Sequence, residues 1–240
     1  MTGFWEHRHG DLGRPLVLAH RGASAIAVEN TRAAIERALD LGVDGAEIDI
    51  RITGDGVAVL AHDPDLRRLA GSDLVVATTP LSELRSAFAD LLTLDEALAL
   101  LSDRAVVLDI KPVADEELAP IYAAIRAHDE HPGVILAAQL PSQWDAAARY
   151  APDRKRLGLV SDADAPAFID AGGSWIRFSN RPDLADCMAN ARLKGLGVVV
   201  VTGHRDHAHT LDPAVIDASI KLKPDAVIID DPTLAFRALA

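Results

Sequence analysis

Eight short runs rich in Val, Ile and Leu recur along the chain, at 16–19, 45–50, 105–110, 133–137, 156–160, 174–178, 197–201 and 226–229. They are nearly continuous in apolar residues, as strands are when both faces of a sheet are covered. Between them lie Ala-, Leu-, Arg- and Glu-rich stretches with helical spacing, among them 31–41, 93–101, 115–128, 182–193 and 213–222. Strand, helix and strand in succession imply a parallel sheet covered by helices. Eight such units in 240 residues fit a closed α/β architecture, the (β/α)8 TIM barrel, better than an open doubly wound sheet. Spacing alone does not prove closure.

The alternation breaks once, after the second strand. Thr53-Gly54-Asp55-Gly56 is a tight-turn signal, and 57–61 is a second extended run expected to fold back antiparallel and return His62 to the barrel mouth. From 63 to 92 the chain reads as a short inserted cap segment, which makes 51–92 the one excursion from a single barrel domain over 1–240. With 49% hydrophobic residues the composition supplies a core of that size.

Charge and cysteine usage narrow the function classes. A net charge of −12 speaks against nucleic acid or an anionic membrane as partner, since both reward clustered Lys and Arg. A small anionic substrate stays compatible, because a bound cation and a few basic residues reverse the local field. Cys187 stands alone, so no internal disulfide forms and it reads as a small core residue. The first eleven residues are polar and no run approaches the roughly 20 apolar residues of a membrane helix, so a cytoplasmic protein without stable membrane insertion is expected.

Polar residues at strand ends matter because the strand ends of a barrel face the active-site mouth. His20-Arg21-Gly22 follows the first strand, and Asp109-Ile110-Lys111 closes the third. Within the second strand Glu47 and Asp49 are two apart and project to one side, while Ile48 faces the helices. Two buried carboxylates need a partner. That partner is either a divalent cation or salt bridges to Arg51 or Lys111. Together with Asp109 the set offers only oxygen ligands, which favours Mg2+ or Ca2+ over zinc.

His20 and His62, arriving at one mouth beside three carboxylates, suit general base and general acid roles worth about 10²–10⁴-fold each. Arg21 either offers its fork to phosphate oxygens or pairs with Glu29. Lys111 either binds phosphate as a point charge or neutralises the carboxylates. Gln139, at the end of the fourth strand, is either a further substrate contact or a solvated loop amide, and Gly22 either permits close backbone approach or is a turn residue. Asn30, in Glu29-Asn30-Thr31 before a helix, reads as a cap. The whole set is a kit for metal-assisted cleavage of a small anionic phosphodiester.

These motifs, in this order and with the last strand running into Asp230-Asp231-Pro232, resemble the glycerophosphodiester phosphodiesterase family from His20 to Pro232. The resemblance implies a metal-dependent TIM barrel that hydrolyses glycerophosphodiesters to glycerol 3-phosphate and an alcohol. It casts His20 and His62 as the catalytic pair, Glu47 and Asp49 as metal carboxylates, and Arg21 and Lys111 as phosphate contacts. Three departures stand out. The third metal carboxylate is Asp109 where the family usually has Glu. The cap is abbreviated between Ala70 and Leu92 and carries no Tyr or Trp to grip an alcohol. Val201-Thr202 replaces the common Trp-Thr, and His204, His207 and His209 follow, a cluster read as a solvated loop in preference to a second metal or substrate site.

The leading expectation is that His20, with the metal, activates the attacking oxygen while His62 protonates the departing alcohol, the two roles being exchangeable. Two alternatives remain: a lyase that releases a cyclic phosphate, and a silent barrel that only binds cation and phosphate. Intact His20 and His62 argue against the silent barrel, which has no need of a proton donor and acceptor.

Overall fold

The computed structural model describes residues 4–6, 9–111, 115–161, 163–203 and 212–240. Nine strands are found among them: β1 (Leu16–His20), β2 (Gly45–Ile52), β3 (Ala58–Leu60), β4 (Ala105–Ile110), β5 (Val134–Ala138), β6 (Arg156–Gly158), β7 (Trp175–Ser179), β8 (Gly197–Val201) and β9 (Ala226–Ile229). All pair in parallel except β3, and the sheet runs β1-β9-β8-β7-β6-β5-β4-β2, with a β1–β2 pairing that closes it. The doubly wound alternative is thereby excluded, because an open sheet has no such closing pair. The molecule is a (β/α)8 barrel.

Strand periodicity sorts the side chains. On β4, Val107 points inward to a ring with Leu18, Ile135, Leu157, Trp175, Val199 and Ile228, whereas Val106, Leu108 and Ile110 pack outward on the helices. Burial of each such side chain is worth roughly 1.5–3 kcal/mol. Trp5, from the segment ahead of β1, closes the bottom of the barrel. Its indole stands edge-on to Trp175 at 5.1 Å between ring centres and donates to the carbonyl of Gly133 over 2.5 Å.

The helices among the described residues are α1 (His9–Leu12), α2 (Arg32–Asp40), α3 (Arg67–Ala70), α4 (Leu81–Ala87), α5 (Leu94–Leu100), α6 (Asp115–Arg126), α7 (Pro141–Tyr150), α8 (Ala165–Asp170), α9 (Leu184–Leu193), α10 (Pro213–Lys221) and α11 (Pro232–Leu239), of which α2, α5, α6, α9 and α10 begin and end within two residues of the stretches expected from the sequence. Thr31 caps α2 and a Thr93–Glu96 capping box opens α5. No described helix is long and apolar enough to cross a membrane.

The excursion after β2 is a hairpin followed by a small cap. β3 pairs antiparallel with β2, Arg51 opposite Val59, after the turn that Gly56 completes at φ +83°. Helices α3 and α4 then pack around Val59, Leu66, Val76, Leu84 and Leu91. Arg51 donates twice to the carbonyl of His62, at 3.0 and 2.8 Å, and so anchors the returning strand beside the mouth.

Candidate active site

Following the inward face of each strand upward from the apolar ring leads to polar residues at the mouth: His20 after Leu18, Asp109 and Lys111 after Val107, Gln139 after Ala137, and Arg177 after Trp175. A cavity of about 420 Å3 opens there, and His20, Arg21, His62, Asp109, Lys111 and Gln139 all line it. Glu47 and Asp49 lie beneath, both almost fully buried. All eight residues selected from the sequence therefore meet at one end of the barrel.

Register explains the cluster. His20 is level with Glu47 across β1–β2, and Asp49 is level with Asp109 across β2–β4. One oxygen of each of Glu47, Asp49 and Asp109 lies within 4.8 Å of the others. Oxygens around one Mg2+ or Ca2+ are about 3–5 Å apart, given bond lengths of about 2.0–2.6 Å. Lys111 Nζ bridges the aspartates, 2.6 Å from Asp49 Oδ1 and 2.7 Å from Asp109 Oδ2. Asp109 Oδ1, by contrast, is buried and accepts no hydrogen bond among the described residues. An acceptor oxygen left open in a buried carboxylate triad fits a divalent cation.

The alternatives weighed for the cluster are both partly realised. Lys111 does pair with the carboxylates, while Arg51 is used on the His62 carbonyl. Arg21 does pair with Glu29, Nη1 to Oε1 at 3.0 Å, and its Nε also lies 3.1 Å from Asp49 Oδ2. These cations divide the carboxylates. Burial raises the Glu47 carboxyl, the neighbouring Asp49 charge adds to it, and together with Asp109 they outweigh His20 and Lys111, leaving it at about 7. Burial acts the same way on Asp49, but Lys111, Arg21 and His62 overcome it and hold that group well below the usual carboxylate range. On Lys111 burial is likewise outweighed by Asp49, Asp109 and Glu47, which raise its pKa.

Each histidine is oriented by an acid. His20 Nδ1 lies 2.6 Å from Asp230 Oδ1, and His62 Nδ1 lies 2.8 Å from Asp63 Oδ1. A carboxylate only accepts, so in both rings Nδ1 carries the proton and Nε2 is the nitrogen left for chemistry. His20 Nε2 is 3.7 Å from Glu47 Oε2. Burial disfavours charge on His20, yet Glu47 and Asp230 outweigh it and raise its pKa. The surroundings differ: the His20 side chain is 7% exposed and that of His62 35%. Asp63 is held in turn by Arg68, whose guanidinium also grips Glu29 at 2.8 and 2.7 Å and so ties the cap to the loop after β1.

That loop stores strain. Arg21 and Asn30 adopt φ +55° and +56°, the left-handed region that costs a non-glycine residue about 1–3 kcal/mol. Gly22 has φ +78°, and a Cβ there would stand 2.6 Å from the backbone carbon of Ala34 in α2, as its predicted close approach requires. The reading of Asn30 as a cap is corrected: Thr31 caps the helix, and Asn30 donates from Nδ2 to Asp49 Oδ2 over 2.7 Å while its Oδ1 accepts from the Asp49 amide. Its left-handed backbone turns the side chain into the barrel. Sequence reasoning also passed over Asp230 as the His20 partner and Arg177 as a lining residue. The second was available, since Arg177 follows the inward Trp175 by two positions on β7. His204, His207 and His209 lie outside the described residues.

Residues 20–174 match the model of the glycerophosphoryl diester phosphodiesterase family. The chain belongs to that family. Among relatives, a probable glycerophosphodiester phosphodiesterase 1 of Mycobacterium tuberculosis is 48% identical over 73 residues, a stretch that is 30% of this chain and only 27% of that relative. The probable glycerophosphodiester phosphodiesterase 2 of the same species is 27% identical over 93% of this chain and 89% of its own length. In fold, the chain is similar to an Oleispira antarctica phosphodiesterase solved with the product sn-glycerol-3-phosphate, with TM-score 0.81, 24% identity and coverage of 95% and 98% of the two chains. A glycerophosphodiester phosphodiesterase of Thermotoga maritima gives TM-score 0.77 at 24% identity, covering 94% and 98%.

Proposed function

We propose that this protein hydrolyses a glycerophosphodiester to glycerol 3-phosphate and an alcohol with the help of a divalent cation, Mg2+ or Ca2+. The observation that carries the reading is the juxtaposition of two acid-oriented histidines and a buried carboxylate triad around one cavity. Glu47, Asp49 and Asp109 are the residues that would hold the cation, which when bound polarises the phosphate oxygens as a Lewis acid. His20 Nε2, with Asp230 fixing its tautomer, takes the proton of the attacking oxygen. His62 delivers a proton to the departing alcohol from the more exposed side of the mouth. Arg21, Lys111 and Gln139 contact the phosphodiester, the first two offsetting its negative charge.

The test is turnover of glycerophosphodiesters with Mg2+ or Ca2+, with and without a chelator, and with product identification. Chelator-sensitive release of glycerol 3-phosphate is expected. A cyclic phosphate as final product would replace hydrolysis with internal attack by a neighbouring hydroxyl, and binding of cation and diester without any turnover would make this a silent binding barrel.

A further inference from the structure

The cations of the mouth differ in how far their charge is already answered. Arg21 pairs with Glu29 and Asp49, and Lys111 with Asp49 and Asp109. Arg177 lines the same cavity and is half-buried, and its guanidinium has no ion pair or hydrogen bond among the described residues. Its place in the barrel is opposite the carboxylates. From β2 the sheet reaches β7 through β4, β5 and β6 on one side and through β1, β9 and β8 on the other, so β7 faces β2 across the mouth.

Arg177 also sits at a junction. With Ser179 and Asn180 it lines both the central cavity and a side groove of about 370 Å3. Asn180 is locked there: its Nδ2 donates to Thr202 Oγ1 over 3.2 Å and its Oδ1 accepts from Ser219 Oγ over 2.6 Å, leaving one amide N–H unspent. The groove's other cation, Arg181, is paired with Asp183. Among the described residues no carboxylate lines the groove. The junction therefore presents a guanidinium, a hydroxyl and an amide N–H, a donor set suited to an anion and unsuited to a quaternary ammonium.

We propose that Arg177 forms a second anion subsite, which selects diesters carrying a further negative charge, phosphate or carboxylate, on the alcohol beyond the scissile phosphodiester. This rests on the phosphodiesterase reading and names its substrate class. The subsite lies across the mouth from the Glu47, Asp49 and Asp109 cluster, on the side where it would meet the alcohol.

The experiment compares pairs of glycerophosphodiesters whose alcohols share a skeleton and differ in one anionic group: inositol phosphate against inositol, and 3-hydroxypropanoate against propanol. The wild-type protein should favour the charged member of at least one pair by about tenfold or more in kcat/KM, as a charge-assisted contact provides. The pair that shows it distinguishes phosphate from carboxylate. Arg177→Gln should bring that ratio near one, and Arg177→Glu should invert it; a ratio is insensitive to the fraction of a variant that folds. Equal use of charged and neutral members by the wild type, or a ratio unchanged in Arg177→Gln, overturns the subsite while the phosphodiesterase reading stands. No turnover of any pair with either cation overturns that reading and the subsite with it.

Discussion

The two halves of the barrel mouth are built on different principles. The half carried by β1, β2 and β4 is dense with charge that is already matched: His20 with Asp230, Asp49 with Lys111 and Asn30, Arg21 with Glu29. Among the described residues, the half carried by β7 and β8 presents Arg177, Ser179, Asn180 and Val201 to the cavity, one cation among neutral groups. Preorganised, mutually restrained charges suit a fixed reaction, because they need little reorganisation as charge develops. A sparse wall suits selection among substrates, since a single contact there changes which diester binds. The first half should therefore tolerate substitution poorly and lose turnover, the second should lose discrimination.

The hardest test of that division is the histidine pair. His20→Ala and His62→Ala should each lower turnover about 10²–10⁴-fold on a diester with a poor leaving group, and the pH–rate profile of the wild type should have an ascending and a descending limb. A p-nitrophenolate leaving group should rescue His62→Ala and leave His20→Ala impaired, because an acid is dispensable when the departing oxyanion is stable. Rescue of His20→Ala instead would exchange the two roles. Retention of turnover within a few fold in either variant would make that histidine structural.

The carboxylates come next. Asp49→Ala should weaken Mg2+ or Ca2+ binding by more than about 100-fold in calorimetry, since removal of a ligand exceeds the 10–100-fold typical of an outer partner. Asp109→Glu lengthens the side chain by one methylene beside Lys111 and should bind the cation at least as well as the parent. Undiminished affinity in Asp49→Ala would remove the triad from the cation site.

Much of this was legible in the sequence. Parallel strands buried on both faces betray themselves as short apolar runs, and polar residues where those runs end gather at one mouth, so the strand–helix alternation and the eight selected residues could be read from pattern while closure awaited the β1–β2 pairing. Partnerships across the closure were harder. Asp230 meets His20 over 210 positions of chain, a contact that exists only because β9 returns beside β1. Asn30 was misread because Asn and Thr both cap helices well, and only the left-handed backbone at Asn30 decides that Thr31 caps while Asn30 turns inward. Arg177 needed no long-range knowledge, only the period of two continued past Trp175.

Asn30 offers a smaller effect that sharpens the same comparison. It touches Asp49 from outside the proposed ligand set, so Asn30→Ala should weaken cation affinity about 10–100-fold and leave kcat at saturating cation much closer to the parent. Asn30→Asp places a charge beside Asp49 and should bind no better than Asn30→Ala. A loss of kcat that saturating cation does not restore would show Asn30 acting on the reacting groups instead of on the ligand.

The smallest effect concerns stability without the cation. Glu47 titrates near 7 in the fold, above the ordinary value of 4.5, so between those values the folded chain holds a proton that the unfolded chain has released. Stability from this group is complete below pH 4.5 and is lost as pH rises through 7, in all on the order of 1–3 kcal/mol. His20, its pKa raised once Glu47 and Asp230 outweigh its burial, acts in the same direction and loses its contribution above 6.5. Asp49 has the opposite sign, but its contribution disappears only on acidification below its ordinary 3.8, outside this window. The metal-free protein should therefore melt several degrees lower at pH 8 than at pH 5.5. Saturating Mg2+ or Ca2+, if held by the proposed ligands, would favour the deprotonated cluster and should shrink or reverse that slope. A Glu47→Gln variant should lose most of the slope, and an unchanged slope in that variant would place its origin in groups other than Glu47, His20 first among them.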